Sequence, residues 1–208
     1  MGRPPLIDRD VVIKTAVEIV DSEGLEALSM RRLAGALDVN VAALYGYFDN
    51  KQDVLRSVDA FIFSEMSFDD RSSDDWTEIV VRQALAFYRL MRRHPNAIPI
   101  FVQFPSKEVT SRPYGRFVEL LISRDVPRDV IDAVAEAFET MVIGSATLEF
   151  SRRNPGEDVS GWDSPRRGAT GGTAGSRKRE QQFVFICRAL VDGFAASIEK
   201  AKPTGPRY

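Results

Sequence analysis

Residues 29–51 read SMRRLAGALDVNVAALYGYFDNK, and they are the most informative part of the sequence about how the N-terminal part of the chain folds. Its spacing predicts a short helix over 30–37, with Ser29 as N-cap, and a second short helix that begins after Asn40, also an N-cap, and runs to about Tyr47. A tight break at 38–39 separates them. Two short helices joined by a tight turn are typical of a helix-turn-helix, whose DNA-binding form places the second helix in the major groove. A compact packing unit of three helices without a role in DNA binding fits the same spacing.

Helices this short are not stable by themselves, so a further helix has to pack on them. The sequence predicts that helix over 8–23, where Val12 and Ala16 belong to one apolar stripe and Gly24 follows as a C-terminal glycine. Another helix is predicted to begin after Asp49. The first three of these helices together make up the predicted N-terminal helix-turn-helix domain.

Helical periodicity continues through the rest of the chain, and no pair of alternating strands joined by a hairpin turn is found. The predicted fold class is therefore all-α, with 1–51 as the helix-turn-helix domain and 52–208 as a larger helical domain. A segment rich in Gly, Ser, Thr and Pro at 154–176 predicts a disordered loop, which is either functional or simply tolerated. The helices predicted in the larger domain span 74–93, 113–123, 129–153 and 177–200.

The composition excludes several classes of protein. The 208 residues are 44% apolar with a net charge of −2, which is the balance of a globular protein with a real core. One cysteine and one histidine rule out a disulfide framework and a zinc site built from several such ligands. The sequence has no Gly-rich phosphate loop, Ser–His pair or Cys–His pair, so we predict a protein that is not an enzyme and needs no metal or cofactor. It also lacks a membrane segment and a secretory signal, which predicts a cytoplasmic protein.

The N-terminal part resembles a known family in detail. Residues 28–55, LSMRRLAGALDVNVAALYGYFDNKQDVL, are similar to the DNA-binding domain of the TetR family of bacterial transcriptional regulators, including the aromatic Phe48 and Lys51. Asp38 stands where the family usually has Gly, and Asp tolerates the left-handed backbone that this turn requires. Gly and Tyr at 46–47 replace the larger residue and the His often found there, which alters the expected base preference and leaves the fold intact.

The resemblance implies which residues meet DNA. The residues implied to hold phosphates are Ser29, Arg31, Tyr45 and Lys51. The residues implied to face the base edges are Asn40, Val41, Ala42, Ala43, Gly46 and Tyr47. Arg32 stands beside Arg31 at the start of the supporting helix, where a helix N-terminus and Arg both favour phosphate, and is counted with the DNA-binding residues. Arg3 lies in a short arm that either reaches the adjacent minor groove or is disordered.

The larger domain resembles the ligand-sensing and dimerisation part of the same family. The segment 112–144 is similar to the C-terminal domain of the tetracycline-repressor subgroup. The last two long helices carry small residues among large apolar ones, and in the family these helices pair with their twins in a four-helix bundle. Packing within one chain is the alternative. The predicted dimerisation residues are Val134, Phe138, Met141, Ser145, Leu148, Ile186, Leu190, Gly193 and Phe194.

Aromatic residues crowd the middle of the chain, and they fit an apolar effector pocket or a plain core equally well. The predicted effector-binding residues are Gln83, Phe87, Met91, Phe101, Phe104, Phe117, Phe138, Glu139 and Met141. His94 invites a metal-ligand interpretation, but without a ligand cluster beside it we interpret it as a structural residue at a helix end. Cys187 lies in an apolar stretch and is interpreted as a packed small hydrophobe, with a redox thiol as the alternative.

The predicted function is a homodimeric repressor that binds a palindromic double-stranded DNA operator and is released by a small-molecule effector, with no membrane partner. The alternatives are an activator or a ligand-independent regulator of the same fold, and, more distantly, a helical interaction protein that does not bind DNA. Residues 1–51 hold six basic and eight acidic groups, so the net charge alone argues against DNA binding. Four of the basic residues nevertheless fall near the implied DNA face, namely Arg3, Arg31, Arg32 and Lys51, and the acidic excess is expected to limit non-specific DNA binding.

Overall fold

The structure, a computed structural model, describes residues 8–66, 75–104, 112–153 and 173–201. These ranges contain helices and no strand, which confirms the predicted all-α fold. The helices are α1 (Arg9–Glu23), α2 (Met30–Ala36), α3 (Val41–Leu44), α4 (Lys51–Ser64), α5 (Trp76–Arg93), α6 (Ile98–Gln103), α7 (Arg112–Ile122), α8 (Arg128–Arg153) and α9 (Thr173–Ala201). Among the helices in these ranges, none combines the length and the apolar character that crossing a bilayer requires.

Packing divides the chain into two compact units. The first takes in the described residues of 1–67 and 93–115, and the second those of 68–92 and 116–208. Helix α4 therefore packs with the helix-turn-helix, whereas the sequence assigned it to the larger domain. The functional boundary after Lys51 stays a prediction.

Helix α1 is the centre of the first unit, and it packs against α2 and α4. Its Val12, Ala16 and Val20 are fully buried, as the apolar stripe predicts. The helix begins at Asp8, whose carboxylate accepts a hydrogen bond from the Asp10 N–H at 2.9 Å. It ends at Gly24, which adopts a φ of 89° and donates its N–H to the Val20 carbonyl. Both predicted ends of this helix are confirmed.

His94 lies between helix ends inside the first unit. Its Nδ1 is 2.8 Å from an Asp21 carboxylate oxygen on α1, and its Nε2 is 3.3 Å from a Glu65 oxygen just after α4. Asn96 donates its side-chain N–H to the Asp21 carbonyl at 2.9 Å. The imidazole is buried. His94 therefore joins the C-terminal ends of α1 and α4, as the structural interpretation predicts.

Helices α8 and α9 pack on each other in the second unit. On α8 the buried residues Val134, Phe138 and Val142 follow at a spacing of four residues, which keeps them on one face. On α9 the matching face includes Phe183 and Cys187, and the Cys187 side chain is fully buried. Burial raises the pKa of the Cys187 thiol to about 12, so it packs as a neutral hydrophobe.

A buried ionic cluster ties α5 to α8 and α9. Glu149 is 5% exposed and accepts a hydrogen bond from the Tyr88 hydroxyl at 2.6 Å. The Nε atoms of Arg92 and Arg179 lie 3.1 and 3.0 Å from the same carboxylate. Arg92 also pairs with Glu180 at 2.9 Å. Burial and the bond to Glu149 raise the pKa of the Tyr88 phenol, which therefore remains a donor.

Several predicted helix boundaries differ from those in the structure, and three examples follow. Helix α3 ends at Leu44 and not at Tyr47. The first hydrogen bonds after it join residues three positions apart, which is the spacing of a turn and not of an α-helix. Helix α4 is capped by Asn50 and not by Asp49. Helix α9 begins at Thr173, four residues inside the predicted loop 154–176, because contacts such as that of Ser176 with Arg92 override the weak helix propensity of Gly and Ser. The rest of that predicted loop, 154–172, lies outside the described residues.

Candidate DNA-binding surface

The turn between α2 and α3 is built by two N-caps and one left-handed residue. The Ser29 hydroxyl accepts a hydrogen bond from the Arg32 N–H at 3.1 Å and so begins α2. Asp38 adopts a φ of 53°, which confirms that Asp replaces the usual Gly in the left-handed position. The Val39 N–H then donates to the Ala34 carbonyl at 3.0 Å, and Ala34 itself is buried. Its small side chain lets the two helices approach each other closely.

Helix α3 has four residues, and Leu44 is the buried one. The Asn40 side chain caps it by accepting the Ala42 N–H at 2.9 Å. The Leu44 carbonyl accepts the N–H groups of both Tyr47 and Phe48 at 3.0 Å, which closes the chain into a compact turn. Phe48 is 1% exposed. The buried side chains of Leu44 and Phe48 therefore anchor α3 and the turn after it to the core.

The predicted base-facing residues occupy one continuous segment of this surface. The exposed members are Asn40, Ala42 and Gly46. Val41, Ala43 and Tyr47 are half-buried. None of the six is fully buried, so the small side chains of this segment allow the backbone to come close to a groove. Their contact with base edges stays a prediction.

The residues predicted to bind phosphate differ in their exposure and in the contacts that they already make within the protein. Arg31 is exposed and forms no ion pair within the described part of the chain. Tyr45 is 55% exposed, and Lys51 is half-buried at the first position of α4. Ser29 is exposed, although its hydroxyl oxygen already accepts the α2 cap bond. Arg3 lies outside the described residues.

Arg32 is held by another residue of the protein. Its Nη2 and Nε atoms donate to the two carboxylate oxygens of Glu23 at 2.5 and 3.2 Å. This hydrogen bond lowers the pKa of the Glu23 carboxyl. Sequence spacing did not reveal the pair, because its members stand nine residues apart across a turn.

Arg9 supports the same turn, and the sequence analysis missed this role. Its guanidinium lies 5.1 Å from the centre of the Phe48 ring, which is the geometry of a cation–π contact. Its Nη2 donates to the Ser57 hydroxyl at 3.3 Å. The start of α1, the turn after α3 and helix α4 are therefore linked by one side chain.

The predicted dimerisation residues fall into two groups. Val134 and Phe138 are buried within the second unit, as the alternative of packing within one chain requires. Leu148, Ile186 and Leu190 are 57%, 41% and 37% exposed. Met141, Ser145 and Phe194 are half-buried, and Gly193 is exposed.

An exposed apolar face runs along α9, and its largest member was missed by the sequence analysis. Phe185 is 73% exposed, more than any other large hydrophobic residue on the described surface. Ala189 and Gly193, both exposed, follow it at a spacing of four, which places all three on one side of the helix. The spacing of four residues is a signal for this face in the sequence, but the predicted dimerisation residues include the neighbouring Ile186 and not Phe185.

The predicted effector-binding residues do not belong to one packing unit. Phe101 and Phe104 lie in the first unit, where Phe101 packs edge-on against Phe63 and Arg56 stands over the ring of Phe104. The other members lie in the second unit. They are Gln83, Phe87, Met91, Phe117, Phe138, Glu139 and Met141. Met91, Phe117 and Phe138 are buried there.

Comparison with known proteins places this surface in a described family. Residues 12–58 match the family of bacterial regulatory proteins called the tetR family. An HTH-type transcriptional regulator of Saccharopolyspora erythraea is 28% identical over 154 residues, which cover 74% of this chain and 65% of that protein. The chain thus spans less than two thirds of this relative's length. The tetracycline repressor protein class E of Escherichia coli is 26% identical over 211 residues, covering 94% of both chains.

A solved structure agrees in fold. The Streptomyces coelicolor TetR family protein ActR, crystallised in complex with actinorhodin, is 25% identical to this chain, with a TM-score of 0.69. The match covers 92% of this chain and 98% of ActR. The Saccharopolyspora erythraea relative is named as a transcriptional regulator and the Escherichia coli relative as a repressor, so neither name describes an enzyme.

Proposed function

We propose that this chain, a DNA-binding transcriptional regulator that belongs to the TetR family, acts in the cytoplasm as a homodimeric repressor which a small-molecule effector releases from its operator. One observation carries the proposal most directly. The predicted base-facing residues of the segment 40–47 are exposed or half-buried, and the buried side chains of Leu44 and Phe48 anchor the segment to the core. A rigid, small-residue surface of this kind suits readout of base edges in a major groove.

In the proposed complex, Arg31, Tyr45, Lys51 and the start of α2 at Ser29 hold the phosphate backbone. Arg31 supports this role because it is exposed and unpaired within the described residues. The residues proposed to face the bases are Asn40, Val41, Ala42, Ala43, Gly46 and Tyr47. Phosphate contacts fix the register on DNA, and base contacts supply the sequence preference.

We propose that the exposed face of α9, together with Leu148 of α8, pairs with the same face of a second copy. Phe185, Ile186 and Leu190 supply apolar area, and Gly193 allows close approach of the helices. A contiguous exposed apolar patch on a monomer marks an interaction site. A two-fold dimer then presents two helix-turn-helix units to a palindromic operator.

We place the effector site in the second unit. Its half-buried Gln83 and Glu139 supply polar groups, and aromatic residues such as Phe87 supply apolar contact. The name of one similar protein mentions tetracycline, and another was crystallised in complex with actinorhodin. Both compounds are polycyclic. The effector shifts the regulator to a conformer with weaker operator affinity, and it can do so only by its differential affinity for that conformer.

The test is fluorescence anisotropy with DNA from immediately upstream of the chain's own gene, measured at several salt concentrations. Arg31→Ala and Lys51→Ala are expected to weaken binding and to lower the salt slope by about 0.9 per phosphate contact, or about 1.8 per dimer. Lys14→Ala is the matched control, because it removes a positive charge from an exposed position of α1. An unchanged affinity and slope in both test variants would contradict the assignment.

The effector is tested by adding tetracycline or actinorhodin to the preformed complex. Release of DNA, together with a raised melting temperature of the free protein, supports an effector of this chemical class. A complex that neither compound dissociates contradicts it.

A further inference from the structure

Arg31 and Arg32 are neighbours in the first turn of α2, yet their surroundings differ. Arg31 projects from the surface, whereas the guanidinium of Arg32 makes two hydrogen bonds to Glu23, the last residue of α1. The side chains of Arg32 and Glu23 remain 43% and 39% exposed, so the pair is accessible to an approaching phosphate.

We propose that Arg32 is a positioning residue, which fixes the first turn of α2 on the end of α1 and does not itself bind phosphate. This proposal rests on the proposed function of the surface in DNA binding. It separates the two adjacent arginines by role: Arg31 binds the DNA backbone, and Arg32 orients the turn from which Arg31 projects.

The same residue is held at two points. The Arg32 N–H donates to the Ser29 hydroxyl at 3.1 Å, and its guanidinium is bound by Glu23. Between Glu23 and Ser29 the chain reverses through Gly24 and a single 3₁₀ turn over Leu25–Ala27. The side-chain pair therefore closes this reversal, and together with the cap it fixes both the position and the direction of the first turn of α2.

The bond geometry also explains why Arg32 is not available for phosphate. A guanidinium binds carboxylate and phosphate with the same planar fork of N–H donors. The Nε and Nη2 edge of Arg32 is occupied by the Glu23 carboxylate. If that edge turned to a phosphate, Glu23 would be left beside the DNA backbone as an unpaired negative charge.

The two possible roles of Arg32 predict opposite effects of Glu23→Gln. If Arg32 positions α2, the loss of the carboxylate loosens the turn, and DNA binding weakens. If Arg32 binds phosphate, removal of its competitor frees it, and DNA binding tightens. Removing one negative charge tightens DNA binding in either case, so a control for bulk charge is required.

Glu26→Gln is that control. Glu26 is exposed in the same chain reversal and forms no ion pair within the described ranges. Binding is measured by fluorescence anisotropy on the full chain, with the DNA from upstream of its own gene. An exposed pair of this type changes an equilibrium about 1.5- to 5-fold, so Glu23→Gln is expected to bind about 2- to 25-fold more weakly than Glu26→Gln when both heads of a dimer are affected.

The salt slope gives a second measurement. Arg32→Ala is expected to weaken binding without a loss of slope, whereas Arg31→Ala lowers the slope by about 0.9 per head. Arg32→Lys keeps the charge and loses the planar fork, so it is expected to weaken binding as Glu23→Gln does. Circular dichroism on each variant verifies that helix content is retained.

Tighter binding by Glu23→Gln than by Glu26→Gln overturns the positioning role, as does a slope loss in Arg32→Ala equal to that in Arg31→Ala. Either result leaves the proposed DNA-binding function intact. A wild-type chain without salt-dependent binding to the DNA overturns the proposed function itself. The two failures are therefore distinguishable.

Discussion

Glu149 offers a sharp test of what holds the second unit together. Its carboxylate is buried and receives the Tyr88 hydroxyl and the guanidinium groups of Arg92 and Arg179. The change Glu149→Gln keeps the size of the side chain and one accepting oxygen. It removes the negative charge, so Arg179 loses its partner here, while Arg92 keeps its second carboxylate, Glu180.

The size of the effect follows from burial. The side chains of Glu149, Arg92 and Arg179 are 6%, 15% and 22% exposed, so solvent screens their charges only weakly. Removing one partner of a buried ion pair costs about 3–5 kcal/mol, because the remaining charge stays buried without compensation. The retained hydrogen bond from Tyr88 and the second partner of Arg92 place Glu149→Gln at about 3 kcal/mol. For a domain of this size that corresponds to a melting temperature lower by about 6–12 °C.

The assay is thermal unfolding followed by circular dichroism, at one protein concentration and one ionic strength because the proposed dimer makes stability depend on concentration. Glu78→Gln is the matched control: its pair with Arg188 also joins α5 to α9, but the two side chains are 36% and 50% exposed. An exposed pair contributes about 0–1 kcal/mol. Equal shifts for Glu149→Gln and Glu78→Gln would refute the argument that burial makes the Glu149 cluster strong.

Three further predictions concern other parts of the chain. Cys187 is expected to resist thiol reagents at pH 8 in the folded protein and to react in urea, because burial raises the pKa of its thiol to about 12. Labelling followed by mass spectrometry checks this, and rapid labelling of the folded protein would contradict the packed position. Asp38→Val is expected to lower the free energy of unfolding in urea by about 1–2 kcal/mol, because a β-branched residue is strained at a φ of 53°. Asp38→Gly should change it by less than about 1 kcal/mol, and equal losses for the two variants would count against the left-handed turn. Phe185→Ser is expected to raise the dissociation constant of the proposed dimer by about tenfold or more in analytical ultracentrifugation, since Phe185 is 73% exposed on one copy; an unchanged constant would contradict the proposed interface on α9.

The sequence predicted the local geometry of the DNA-binding surface well. Ser29 and Asn40 cap their helices, as predicted from residue type alone, and Asp38 adopts the left-handed conformation that the resemblance to the family implies at this turn. These features depend on hydrogen bonds between residues two or three positions apart, so a short window of sequence contains both partners. The apolar stripe of α1 was predictable for the same reason, since Val12 and Ala16 follow the helical repeat.

The features that escaped prediction depend on distant partners. Arg32 and Glu23 meet only because the chain reverses between them, and the start of α9 at Thr173 depends on contacts with α5. The exposure of individual side chains was equally hard to predict on α9, where apolar residues lie on more than one side of the helix. Phe185 and Phe183 are both aromatic residues of α9, yet one is 73% and the other 3% exposed. The predicted effector residues share a chemical type, and chemical type does not reveal that Phe101 and Phe104 belong to a different packing unit from the other members.

In and around helix α3, buried positions that support the fold alternate within a few residues with the positions proposed to read DNA. Leu44 and Phe48 provide the buried anchor, while the intervening and preceding positions of 40–47 remain at the surface. Substitutions at Val41, Ala42 or Gly46 therefore alter few interactions on which stability depends. If these positions read the operator as proposed, operator preference can diverge between descendants of this protein while the scaffold stays constant. A library randomised at these three positions should yield regulators with altered target sequences and near-parental melting temperatures.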